Sequence, residues 1–325
     1  MTTQQIYELA VKLGIKADLR GEKKVKKYLE KAKKKYEKLD KEGKEEFDKE
    51  KLTNPYSDTR VLVDASAKLS ASKKKQIKKV VAGIDMEGPE LLLAEKLGAD
   101  LVIAHHPEGK ALADLHSVMD LQAAVLADYG VPINIAESVI RPRISEVHRG
   151  ISPINHNRAV DFARILKLDF ICTHTIADNL GANYLARELT KKKPETVGDC
   201  LAILKAIPEF KKAVEYNAGP TLFVGNPDNS CGKVVITEFT GGTSGAKEMY
   251  EKMSQAGIGT IIGMHMGEEH RKEAEKHHIN VVIAGHMASD SLGMNLFLDE
   301  LEKKGIEVVP LSGLIRVKRF KSGNK

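Results

Sequence analysis

From about residue 60 onward, short apolar and β-branched runs alternate with segments of helical period, and this alternation restricts the possible fold more than any other feature. The clearest runs are Lys79–Ile84, Leu101–Ala104, Pro132–Ala136, Phe170–Thr173, Lys233–Glu238, Thr260–Gly263 and Asn280–Ala284. Between several of them lie helix-like segments such as Glu90–Leu97, Leu115–Tyr129, Asn183–Leu189, Ala246–Ala256 and Gly293–Lys303. Strand, helix, strand succession of this kind predicts an α/β fold on mainly parallel sheets. With a junction near Lys191–Pro194, the chain divides into a charged helical extension (1–58), a first α/β lobe (59–190) and a second α/β lobe (191–325).

The extension has a different texture. Its first residues, MTTQQIYELAVKLGI, read as an amphipathic helix and not as a signal peptide. Further on, Tyr28, Leu29, Ala32, Tyr36 and Leu39 make a thin apolar stripe on a charged helix, and the helical texture ends at Asn54-Pro55. Much of the formal net charge of +6 lies here, where Lys is interleaved with Glu and Asp. That pattern reads as a solvated helix laced with i,i+4 pairs. Nucleic-acid binding would need uninterrupted basic residues and stacking aromatics, so no nucleic-acid partner is expected. Cys172, Cys200 and Cys231 form neither a CxxC pair nor a disulfide framework, and no apolar run approaches a membrane span. A soluble, cytoplasmic protein is the expectation.

Three strands end in the same chemistry. Leu101–Ala104 runs into His105-His106-Pro107, Phe170–Thr173 into His174 with Asp178 four residues on, and Asn280–Ala284 through Gly285 into His286 with Asp290 four residues on. Sites in open α/β sheets form outside the carboxyl ends of strands. A His and an Asp four apart share one face where the chain turns helical, so both can point at one ion. A lone His at a strand end is more often a hydrogen-bonding residue, and Asp178 alone could be a helix N-cap; three such coincidences favour metal. Four imidazoles and two carboxylates exceed what one ion needs and suit two ions about 4 Å apart with a bridging carboxylate. The mixed nitrogen and oxygen set fits zinc, iron or manganese.

HHP after one strand, HTIAD after another and GHMASD near the C-terminus together resemble the NIF-three-like family (NGG-one-interacting factor three; type 2 GTP cyclohydrolase I-like). The similarity runs from about residue 79 to 317 and includes the turn Thr240-Gly241-Gly242-Thr243-Ser244-Gly245. The resemblance implies a dinuclear metal site with His105, His106, Asp178, His286 and Asp290 as ligands and His174 beside them. It also implies two similar α/β lobes facing a shared metal site and a homohexamer. The family usually carries Glu where this chain has Asp290, one methylene shorter, so reach must come from backbone position.

These residues point to a metal-dependent hydrolase acting on a small polar, nucleotide-like or phosphorylated substrate through metal-activated water. His174 and His265, the latter after the strand Thr260–Gly263, are the candidate proton carriers. Gly241, Gly242 and Thr243 could cradle an anion, or supply only the geometry of a tight turn. The alternative from another class is a non-catalytic metal-binding regulatory or metal-handling protein. An enzyme keeps exchangeable positions on its metal, whereas a structural site is closed.

Overall fold

Among residues 1–66 and 75–320, which the computed structural model describes, nine strands form two sheets. β1 (Thr59–Val63), β2 (Lys79–Gly83), β3 (Leu101–Ala104), β4 (Asp169–Thr173) and β9 (Glu307–Leu311) make one, in the order β1-β4-β3-β2-β9. β5 (Thr221–Val224), β6 (Lys233–Ile236), β7 (Ile258–Gly263) and β8 (Asn280–Ile283) make the other, in the order β5-β8-β7-β6. β1 and β5 run antiparallel to β4 and β8; all other pairings are parallel. Without β9 the two orders are the same, so the chain folds as two similar, mainly parallel α/β lobes. β9, from the C-terminal stretch, crosses back to pair with β2, with Glu307 opposite Lys79.

The inner strands are apolar because both faces are covered. Every residue of β3 and β4 is buried, as are Val80 to Gly83 of β2. Edge strands carry weaker signals. β5 alternates exposed and half-buried residues, and β9 contains Pro310, which an edge strand tolerates.

One expected strand is a helix instead. Pro132–Ala136 opens the helix Ile133–Ile151, which buries Ala136, Ile140 and Val147. Those positions repeat at helical spacing, and Pro132 just before the first turn has the fixed φ that helix entry uses. Five residues were too few to separate the two periods.

Two long helices lie at the heart of the molecule. His174–Lys192 follows β4 and His286–Glu302 follows β8, and they cross each other closely. At the crossing a Cβ on Gly293 would stand 2.1 Å from the Ala177 carbonyl oxygen, and one on Gly181 3.5 Å from the Gly293 nitrogen. Glycine is needed here for closeness of approach. The N-terminal helix Thr3–Ala17, closed by a Thr2–Gln5 capping box, lies along His174–Lys192 through Ile6, Ala10 and Gly14. The charged helix Glu22–Glu37 buries Val25 alone. No helix among the described residues is long and apolar enough to cross a membrane.

Candidate metal centre

All six residues at the three strand ends converge on one spot. β3 and β4 are parallel neighbours in register, so His105-His106 and His174 emerge side by side at their carboxyl ends. The helix crossing brings Asp178 from one lobe against His286 and Asp290 from the other. Asp178 and Asp290 each lie one turn into their helix, on the face that also carries the preceding His. Asp178 is therefore inside a helix that starts at His174, and is not its N-cap.

Asp290 sits at the centre. Its carboxylate oxygens lie 3.4 Å from His105 Nε2, 3.5 Å from His106 Nε2 and 3.6 Å from His286 Nε2. Asp178 lies 3.4 Å from His105 Nε2 and 3.9 Å from His174 Nε2. Three groupings have donor atoms all within 4.8 Å of one another: His105, His106 and His174; His106, His286 and Asp290; His105, Asp178 and Asp290. Asp290 belongs to two of them, so the shorter aspartate reaches the centre through its backbone position on the helix.

Three of the donors, His105, Asp178 and Asp290, are buried and carry unpaired atoms. Both ring nitrogens of His105, both oxygens of Asp290 and Oδ1 of Asp178 have no hydrogen-bond partner. Leaving such groups dry and unmatched is costly, and a divalent cation among them would remove the cost. The residues present fit a metal ion on that ground.

The electrostatics agree. Burial holds the His105 imidazole down to about 4, so it is neutral with a free electron pair. Burial also lowers His286, and raises Asp178 well above the carboxylate range. Asp290 is equally buried, yet the imidazoles of His105, His106 and His286 around it hold it far below that range. Burial lowers His106, but the Asp290 and Asp85 carboxylates close to its two ring nitrogens outweigh it and lift the ring to about 10. A charged His106 thus lies against an ionised Asp290. A divalent cation would supply that charge and displace the proton on His106.

A NIF3 superfamily protein from Sphaerobacter thermophilus superimposes on this chain with a TM-score of 0.71 and 28% identity, over 79% of this chain and 92% of that one. The chain is NIF3-like. Reduced HcgD from Methanocaldococcus jannaschii gives a TM-score of 0.47 at 16% identity, covering 73% and 84% of the two chains. The ybgI protein, of unknown function, gives 0.41 at 15%, covering 74% and 85%. No family model matches the sequence, and no curated protein does.

Two carboxylates outside the three strand-end motifs complete the cluster. Asp85 Oδ1 is 2.6 Å from His106 Nδ1, and Asp58 Oδ2 is 2.8 Å from His174 Nδ1 and 2.6 Å from the Thr175 hydroxyl. Each carboxylate accepts from the outer nitrogen and turns the inner Nε2 toward the cluster. Asp85 follows β2 by two residues, so the strand-end rule that singled out the histidines could have found it. Asp58 precedes β1, whose start lies beside the end of β4 only because the two run antiparallel. Nothing in the order of residues announces that. Asp58→Ala should weaken metal binding by about 10–100-fold in chelator-competition titration, the usual cost of losing an outer partner of a ligating His. Asp58→Asn, which keeps an acceptor, should lose less, and equal affinity in all three proteins would exclude this positioning role.

The remaining candidates border the cluster. The His265 ring stands 4.9 Å from that of His286, with its Nδ1 3.4 Å from the Ser244 hydroxyl. Gly241 and Gly242, both at φ +90°, turn the chain against the first lobe, where Gln122 donates to the carbonyls of Gly241 and Thr243 at 2.8 and 2.6 Å. The next helix starts only at Met249, so this turn is not a helix N-terminus. It reaches only the border of the cluster, Ser244 meeting His265 and the Thr240 hydroxyl donating to Asn179 Oδ1 at 2.6 Å.

Proposed function

We propose that this NIF3-like chain is a metal-dependent hydrolase holding two divalent ions, zinc, iron or manganese, through His105, His106, Asp178, His286 and Asp290. Its substrate would be small and polar, nucleotide-like or phosphorylated. The observation that carries the reading is a pair of donor groups that share Asp290, with the atoms of His105, Asp178 and Asp290 buried and unpaired at their junction. Held by these residues, divalent ions would supply a coordinated water of lowered pKa and a Lewis acid for a substrate oxygen. Neutral His105 and ionised Asp290 are already in the forms that ligate.

Two histidines are suited to proton transfer. His174 has Nδ1 fixed by Asp58 and presents Nε2 toward Asp178, an arrangement that sets its tautomer. His265 is half-buried beside His286, where it can meet a leaving group without displacing a ligand. His265→Ala should lower kcat by about 100-fold or more while leaving metal content intact.

Metal content per chain, by plasma mass spectrometry on protein purified without chelator or nickel affinity, tests the site. About two ions per chain are expected if both groups fill, with losses in His105→Ala and Asp178→Ala. Hydrolysis is then screened on nucleotides and phosphoesters, with and without reconstitution by each metal. Full metal loading with no turnover of any substrate would favour the non-catalytic metal-handling reading. No metal after reconstitution would end both.

A further inference from the structure

Away from the metal centre, a groove of about 920 Å³ runs between the charged helix Glu22–Glu37 and the first-lobe helices Asp120–Asp128 and Ile133–Ile151. None of its lining residues belongs to the metal cluster. Its size is at the upper end for ligand sites.

Folding sorts the charges that the sequence interleaves. Lys24, Lys27, Lys31 and Lys35 recur at i, i+3, i+7 and i+11 and all line the groove. Glu22, Glu30 and Glu37 of the same helix do not, and are exposed. The lysine row is about 16 Å long at a rise of ~1.5 Å per residue. Lys51 and Arg141 add charge from the other walls. Lys24 is paired with Asp128 and Lys51 with Asp114, but Lys27, Lys31, Lys35 and Arg141 have no ion-pair partner among the described residues. Asp120 and Glu137 are the only carboxylates in the lining. Ala123, Ala127, Ile133 and Ile144 make part of the lining apolar, and the rings of Tyr28, Phe47 and His116 also line it, His116 stacked on His148 and Tyr28 under Arg20.

A compact anion needs a cluster of charges, whereas a row matches a chain of them. The row's length spans several consecutive phosphates of one strand. A lining that is partly apolar and carries aromatic rings suits unstacked bases, the combination found where proteins hold single strands without reading sequence. We propose that this groove binds a short single-stranded nucleic-acid segment, phosphates along the lysine row and bases toward the apolar part of the lining. The two features whose absence argues against nucleic acid in the linear sequence are both approached by the fold, which sets a row of lysines against only two lining carboxylates and places aromatic rings in the same groove.

The test is fluorescence anisotropy of a labelled 12-nucleotide poly-dT strand with the full chain, over a series of salt concentrations. Wild type should bind, and Lys27→Glu/Lys31→Glu/Lys35→Glu should bind more than tenfold more weakly, with the log–log salt slope smaller by roughly two, about 0.7 per lysine for a single strand. The control Lys23→Glu/Lys26→Glu/Lys33→Glu makes the same charge change on helix positions outside the groove and should retain most of the affinity. Equal loss in both triple variants would overturn the proposal in favour of net charge. Tighter binding of inorganic polyphosphate of equal charge, or of duplex DNA, would overturn the role of the bases. No binding by wild type at low salt would overturn it outright. Metal content, unchanged in both triple variants, keeps this outcome separate from that of the metal centre.

Discussion

Asp290→Ala should leave the protein nearly free of metal. Asp290 is shared by two of the three donor groupings and stands within 3.6 Å of three imidazoles, so its loss affects both halves of the centre together. The drop in affinity should exceed the roughly 10–100-fold that follows loss of an outer hydrogen-bond partner. A second readout separates this from simple unfolding. Adding metal to chelator-treated wild type should raise stability by about 4 kcal/mol when free metal is a thousandfold above its Kd. Asp290→Ala should show almost none of that gain in thermal or denaturant melts. A variant that still gained the full increment would place the ions elsewhere.

Gly293→Ala should be among the most damaging single-methyl changes in the chain. The added Cβ would lie 2.1 Å from the Ala177 carbonyl oxygen and 2.6 Å from its carbon, and backbone at a helix crossing cannot swing aside as a side chain can. The helices must separate, which opens the core on both sides. Overpacking of this kind costs typically 1–3 kcal/mol and at times more, and the upper end is expected here. Asp290 lies one turn before Gly293 and Asp178 one residue after Ala177, so the same separation should pull the carboxylates apart and reduce metal content. Gly150→Ala is the matched comparison. Gly150 lies in the helix Ile133–Ile151 with nothing within 4 Å of an added Cβ, so alanine there should be neutral or stabilise by up to about 1 kcal/mol. Similar melting temperatures for wild type and Gly293→Ala would show that the crossing is looser than these distances require.

The parts of this architecture that could be read from sequence are those where period and chemistry coincide. β3 was legible to the residue because four buried apolar residues end abruptly in two histidines. The helices after β4 and β8 were only partly legible. Their first turns, His174 to Asp178 and His286 to Asp290, look like polar loops when scanned for an amphipathic stripe. They are helical because both faces are buried and the polar side is filled by the metal centre. β1, β5 and β9 escaped notice because each is a run of only four or five residues, with polar or proline positions interrupting β1 and β9. Asp58 gains meaning only from a partner 116 residues away, whereas Asp85 stands at a strand end as the histidines do. The sidedness of the lysine helix needed only a helical wheel. What the sequence could not supply was the opposing wall that makes a groove of it.

Two stretches also share a signature: His174-x-x-x-Asp178-x-Leu180-Gly181 and His286-x-x-x-Asp290-x-Leu292-Gly293, each following the strand next to an antiparallel edge. Histidine, aspartate and the crossing glycine occupy matching places in two lobes of the same strand order. Each lobe by itself therefore carries one His–Asp arm and one crossing glycine, so neither lobe closes the centre without the other. The two differ at the next strand inward: β3 runs into a double histidine and β7 into Met264-His265, so the first lobe supplies most of the clustered donors and the second holds a histidine at their border.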